Sequence, residues 1–187
     1  PIQSMTREAR TPPVLRMRIS EIGATPLHDW GDSTPNGAPF DDEPGTGAVT
    51  DADEWVEVVN DSDRAIDLVT SDARLDVDDG SPSTTRLDGA PAVYFGDGGS
   101  VRRWWPGEAL VLRTHGTMQQ RELVLELRSG ERLYDRVAIG RSADADHVGG
   151  APPDAIHEAL AKDAFDRWRW CVPSPGEALP PYDCIDG

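Results

Sequence analysis

Across residues 14–139, apolar residues recur at every second position in short runs, with Gly, Pro, Asp and Ser between the runs. The runs are residues 14–22 (VLRMRISEI), 54–60 (EWVEVVN), 65–69 (AIDLV), 74–77, 92–95, 101–105, 109–113 (ALVLR), 122–127 (ELVLEL) and 132–139 (RLYDRVAI). A period of two puts alternate side chains on opposite faces of an extended chain, which is the pattern of a strand with one buried face. Asp61-Ser62-Asp63, Pro106-Gly107 and Ser129-Gly130-Glu131 supply turn chemistry between runs. No part of residues 1–150 sustains a 3.6-residue period, so the expected architecture is an all-β sandwich or barrel. In the first run, Leu15, Met17, Ile19 and Glu21 share one face by strict alternation, and Arg16, Arg18 and Ser20 the other. In the second, Trp55, Glu57 and Val59 alternate with Val56 and Val58, and Trp55 is expected to fill the centre of the sandwich. Asn60 is expected to close that strand by bonding nearby backbone.

Four segments depart from the pattern. Residues 1–13 are polar with two prolines and are expected to be a flexible leader. Residues 24–53 are rich in Gly, Pro, Asp and Thr, and about thirty residues without a period is long for a loop inside a compact domain. They are taken as an acidic insertion. Residues 154–165 are expected to form one short helix, with Asp154 as its cap and Ile156, Leu160 and Ala164 on one face. Residues 177–187 form a tail whose Pro180 and Pro181 exclude regular structure. The only cysteines, Cys171 and Cys184, flank this Pro-rich end. A disulfide between them would staple the tail to the domain, worth about 3 kcal/mol on the loop-entropy model; two free thiols are the alternative.

Charge narrows the partners. Asp and Glu number 34 against 18 Lys and Arg, a net charge of -16. Such a surface repels phosphate and anionic headgroups, so nucleic acid and membrane insertion are not expected. No stretch is apolar enough over roughly 20 residues to span a bilayer as a helix.

The residue types carry no recognisable catalytic signature. No Ser lies in a Gly-x-Ser-x-Gly elbow, and His28, His115, His147 and His157 are expected to be solvated or lightly bonded. His157-Glu158 opens like a zinc-protease helix, but Ala161 stands where the second His is needed. Asp144, Asp146 and His147 are a weaker divalent-ion candidate. Calcium needs six to eight oxygen ligands. The insertion gathers the most acid beside a strand end, which makes Asp29, Asp32, Asp51 and Asp53 the calcium candidates. The alternative is that these acids are simply solvated. In the pair Trp104-Trp105 one indole must point outward, as a possible contact surface.

Taken in order, several segments resemble the lamin tail domain family. Residues 19–22 (ISEI) resemble its opening strand, 54–60 (EWVEVVN) its second and 65–68 (AIDL) its third. Residues 105–112 (WPGEALVL) resemble its turn-plus-strand motif, and residues 125–137, with Gly130-Glu131 at the turn, its last hairpin. Trp170 with residues 173–176 (PSPG) resembles its closing segment. The gap between the first two strands is longer here, and Val69-Thr70 replaces the family's Ser-Gly-Trp continuation. The resemblance implies an immunoglobulin-like sandwich that terminates nuclear filament proteins and also occurs in exported prokaryotic proteins. It also implies a non-catalytic binding or scaffolding module, extracellular or at the cell surface, with a protein or surface glycan as partner. In that arrangement Glu21 and Glu57 fall on adjacent strands, with a hydrogen-bonding role at strand ends. A calcium-dependent carbohydrate- or surface-binding module and a hydrolase with loop-borne catalytic residues are the alternatives.

Overall fold

The computed structural model describes residues 15–33, 39–40, 43–88, 92–94, 102–114, 118, 121–141, 144–177 and 183–185. The leader 1–13, Asp41, Asp42, His115 and most of the tail lie outside these residues. The strands are β1 (Met17–Gly23), β2 (Trp55–Asn60), β3 (Ile66–Asp67), β4 (Ala73–Asp78), β5 (Ser83–Arg86), β6 (Ala92–Tyr94) and β7 (Arg103–Trp104). They continue with β8 (Ala109–Arg113), β9 (Glu122–Ser129), β10 (Arg132–Gly140), β11 (Ala159–Lys162), β12 (Trp168–Cys171) and β13 (Cys184–Ile185). A seven-stranded sheet runs β13-β12-β11-β1-β2-β8-β6, a four-stranded sheet β10-β9-β4-β5, and β3 pairs with β7. Every paired strand is antiparallel.

The two larger sheets pack face to face. Ile19, Ile22, Val56, Val58, Leu110 and Leu112 from one meet Leu75, Leu123, Leu125, Leu127 and Val137 from the other. Each such side chain, fully buried, contributes about 1.5–3 kcal/mol. This is the all-β sandwich expected from the alternating runs.

Strict alternation fails once, in β1. Ile19 pairs with Val58 but Glu21 pairs with Glu57, so Ser20 is an extra residue, a β-bulge. The bulge places Ser20 and Glu21 both on the outer face and returns Ile22 to the core. Beside it, Asp135 of β10 accepts the Ile19 N–H at 2.8 Å, so this N–H of β1 is paired.

Three local differences from the sequence reading have clear causes. Residues 159–162 are strand, not helix: β11 fills the gap between β1 and β12, with Leu160 opposite Ile22 and opposite Trp170. Its Ala159, Leu160 and Ala161 are all buried, and an apolar run buried on both faces looks the same in sequence as a short helix. Asp154 does cap a turn, accepting the Ile156 and His157 N–H groups at 2.9 and 2.8 Å, but the chain then straightens. Residues 68–71 leave strand β3 as a single helical turn, α1 (Leu68–Ser71), because Asp67 caps the Val69 and Thr70 N–H groups.

The third difference concerns Trp55. It is fully buried, but on the outer face of the seven-stranded sheet, clustered with Trp30, Phe40, Val111 and Ala159. The described residues of 24–53, Trp30 and Phe40 among them, cover that face as a third layer. Asn60 behaves as expected: its side-chain amide donates to the Arg64 and Trp104 carbonyls, and its Oδ1 accepts the Ser62 N–H. The Cys171–Cys184 disulfide is formed and joins β12 to β13.

Gly23 lies opposite Trp55, and a Cβ there would fall 2.3 Å from the indole Nε1. Gly23→Ala should therefore lower stability by about 1–3 kcal/mol, read as a shift in the urea midpoint with a change in tryptophan emission. An unchanged midpoint would show that the indole is not clamped against β1.

Candidate functional site

The third layer is held by buried carboxylates. Glu158, 2% exposed, accepts the indole N–H of Trp30 at 2.9 Å, contacts His28 Nδ1 at 2.7 Å and accepts the Leu27 N–H. Asp29 accepts the Ser33 N–H at 2.8 Å and the Gly47 N–H at 2.6 Å, closing the insertion on itself. Asp53 accepts the Gly31 and Thr50 N–H groups, both at 2.6 Å, and Thr50 caps the turn at Asp51–Asp53 in return. Arg113 donates to the Gly31 carbonyl and stacks 5.2 Å from the Phe40 ring.

These contacts fix where the calcium candidates stand. Asp29, Asp32 and Asp53 are buried and Asp51 is exposed. The carboxylates of Asp29 and Asp53 face amide donors. Among the described residues no group of three or more His, Cys, Asp or Glu is gathered as around a metal ion. Trp104 is buried and donates its indole N–H to the Glu108 carbonyl, whereas Trp105 is 53% exposed, so the outward indole is Trp105.

Glu21 and Glu57 sit directly opposite each other on β1 and β2, each almost fully buried beneath the PSPG segment. Glu21 accepts the Ser174 N–H and hydroxyl, both at 3.0 Å. Glu57 accepts the Ser20 hydroxyl at 2.5 Å and the Gly176 N–H at 2.8 Å. Burial pushes the Glu21 carboxyl well above its ordinary range, and the facing Glu57 charge adds to this against the Ser174 donors. Burial likewise raises Glu57 to about 7, although the Ser20 and Gly176 donors and Arg18 pull it down. The pair therefore retains a proton into the neutral range. Its role is to clasp residues 174–176 onto the sheet.

One buried carboxyl is not used in this way. Glu54, the residue before β2, is 5% exposed and stands at one end of the sandwich. It lines a cleft of about 560 Å³ with Ala24, Thr25, Pro26, Val49, Thr50, Asp51, Met118, Arg121, Gly150 and Ala151. Loops from both sheets meet there, and Ala24 and Met118 belong to the core, so the cleft opens onto the apolar interior. Glu54 Oε2 accepts the Met118 N–H, and no described residue donates to Oε1. Burial raises this carboxyl to about 7; the Met118 N–H opposes that rise, and Asp51 and Asp79 add to it. A buried, half-partnered carboxyl in a concave site has the physical marks of a binding group. A second cleft, on the outer face of the four-stranded sheet, is floored by charged side chains such as the Arg74–Asp76 ion pair and Glu126.

In the sequence Glu54 reads only as the first residue of the 54–60 strand. The one available signal is a Glu at the parity of Val56 and Val58, which face the core. The Glu158–His28 contact joins residues 130 apart, and no local spacing marks it. No family model, curated protein or solved structure matches the chain.

Two expectations follow from the carboxyls. Glu21, Glu54 and Glu57 have folded pKa values above the unfolded value near 4.5. Their contribution to stability is complete below about pH 4.5; that of Glu54 and Glu57 is lost as pH rises through about 7, and that of Glu21 as pH rises through its own raised value. Melting midpoints should fall by on the order of 5–10 °C between pH 5 and pH 8.5. Glu57→Gln, which keeps an acceptor for Gly176, should flatten that fall; an equal fall in the variant would remove Glu57 from the account. Because Asp29 and Asp53 already accept amide hydrogens, EDTA should leave the midpoint at pH 7 unchanged. A drop on chelation would instead restore the insertion as a calcium site.

Proposed function

We propose that the chain is a non-catalytic binding module of an exported or cell-surface protein, of the kind its lamin tail resemblance implies. Its ligand occupies the cleft at the Glu54 end of the sandwich. The observation that carries this reading is the Glu54 carboxyl, 5% exposed and held by the Met118 N–H, in the lining of an open cleft of mixed apolar and polar character. Loops at the end of a β-sandwich are a common place for ligand contacts, because the sheets hold them rigidly. The other buried carboxylates support a structural rather than reactive use, since Glu21, Glu57, Glu158, Asp29 and Asp53 all accept donors from the chain's own folded-back segments. The Cys171–Cys184 disulfide supports an oxidising compartment. Among the described residues no helix is long and apolar enough to cross a membrane.

Met118 is 2% exposed and forms the inner wall of the cleft. A fragment screen read by saturation-transfer NMR should yield cleft binders, and Met118→Trp, which fills the cleft, should abolish their signal. Binders that ignore Met118→Trp would place the ligand elsewhere, with the exposed Trp105 face the next site to test.

A further inference from the structure

The charges and shape around Glu54 specify what the cleft can hold, if the cleft is the ligand site. Its walls at Ala24, Pro26, Val49 and Met118 are apolar. Its one deep polar group is the Glu54 carboxyl, whose Oε1 lacks a donor among the described residues. Asp51 lies on the same rim, and Asp79 acts on Glu54 from the turn after β4. Arg121 also lines the cleft, as an exposed side chain, and the charges that shift the Glu54 carboxyl are those of Asp51 and Asp79.

We infer that the cleft binds an organic ammonium group on a short apolar stem, with an ammonium N–H donating to Glu54 Oε1 and the stem against Ala24, Pro26, Val49 and Met118. An ammonium supplies donors and a positive charge together, which is what a buried carboxylate with an open acceptor needs. An anionic ligand would meet Glu54 and Asp51 and be repelled. A calcium ion requires six to eight oxygens, and the cleft's carboxylate oxygens come only from Glu54 and Asp51. A neutral alcohol can accept from protonated Glu54 or donate to the ionised form, but it brings no positive charge to offset the buried carboxylate, so its affinity does not follow the ionisation as a cation's does. The two acids raise the cost of a second negative charge at Glu54, and a bound cation relieves that cost. Binding should therefore release protons near neutral pH.

The test uses the full chain, with n-butylammonium as probe and n-butanol as its neutral control. Both are titrated at pH 5.5 and pH 8.5 while the Met118 methyl resonance is followed. With Glu54 titrating at about 7, n-butylammonium affinity should rise about thirtyfold between these pH values, and n-butanol affinity should not rise. Glu54→Gln keeps an acceptor for the Met118 N–H and should remove both the rise and the preference for the cation. A folded Glu54→Gln that retains the preference would overturn the inference. So would equal binding of n-butanol at pH 8.5, though shifts at Met118 would then leave the cleft standing as a ligand site. Neither probe moving Met118, with no cleft binder in the fragment screen, would remove both readings. Comparing n-butylammonium with Nα-acetyl-lysine methylamide separates the sources of the group. Tighter binding of the lysine compound points to a peptide partner, and tighter binding of the free amine to a small metabolite.

Discussion

Strand β2 is buried on both faces, and most of what lies outside the seven-stranded sheet answers to that. All six residues from Trp55 to Asn60 are buried, whereas an antiparallel sheet in a sandwich ordinarily leaves one face to water. Val56 and Val58 take the core side. Trp55, Glu57 and Val59 take the other and must be covered. The insertion brings Trp30 and Phe40 over the indole, and the PSPG segment closes over Glu57. Covering a face this way strands polar groups. The carboxyls of Glu21, Glu57 and Glu158 are placed where the covering segments offer N–H and O–H donors, so burial of the polar groups and docking of the segments are one event.

The arrangement hangs on one inserted residue. Without the bulge at Ser20, Glu21 would share the face of Ile19 and enter the apolar core unpaired, while Ile22 would turn outward. A buried carboxylate without partners costs far more than the ladder bond a bulge gives up. With the bulge, Glu21 lies opposite Glu57 and both reach the 174–176 backbone. Two acids side by side under a lid resist ionising together, and this links the docking of the C-terminal segment to protonation.

Alternation made the strands legible, because period two reports the pleat directly. It could not say which face of β2 meets the second sheet, since both faces carry large apolar residues, and so Trp55 was expected in the wrong layer. It also could not distinguish the run at 159–161 from a helix, because a strand buried on both sides has no period to show. The cysteine pair was legible from its position beside the prolines. The insertion's acids were legible as a concentration of charge but not in their use. Asp29 and Asp53 accept backbone hydrogens from residues brought close only by the fold, as Glu158 accepts Trp30 from 128 positions away. Side-chain type predicts an acceptor, and only the fold decides whether an amide or an ion occupies it.

That distinction separates Glu54 from its neighbours. Glu21, Glu57, Glu158, Asp29 and Asp53 each have donors from a segment they fasten, so their burial is explained by the architecture alone. Glu54, 5% exposed and lining a cleft, holds only the Met118 N–H among the described donors. Burial without full pairing is unfavourable for the isolated fold, as its raised pKa reflects. A Gln at position 54 could accept the Met118 N–H without a charge to bury. The cost becomes reasonable if the missing donor arrives from outside the chain, which makes the incomplete hydrogen bonding of Glu54 a more specific pointer to a ligand than the size of the cleft or the acidity of the loops around it.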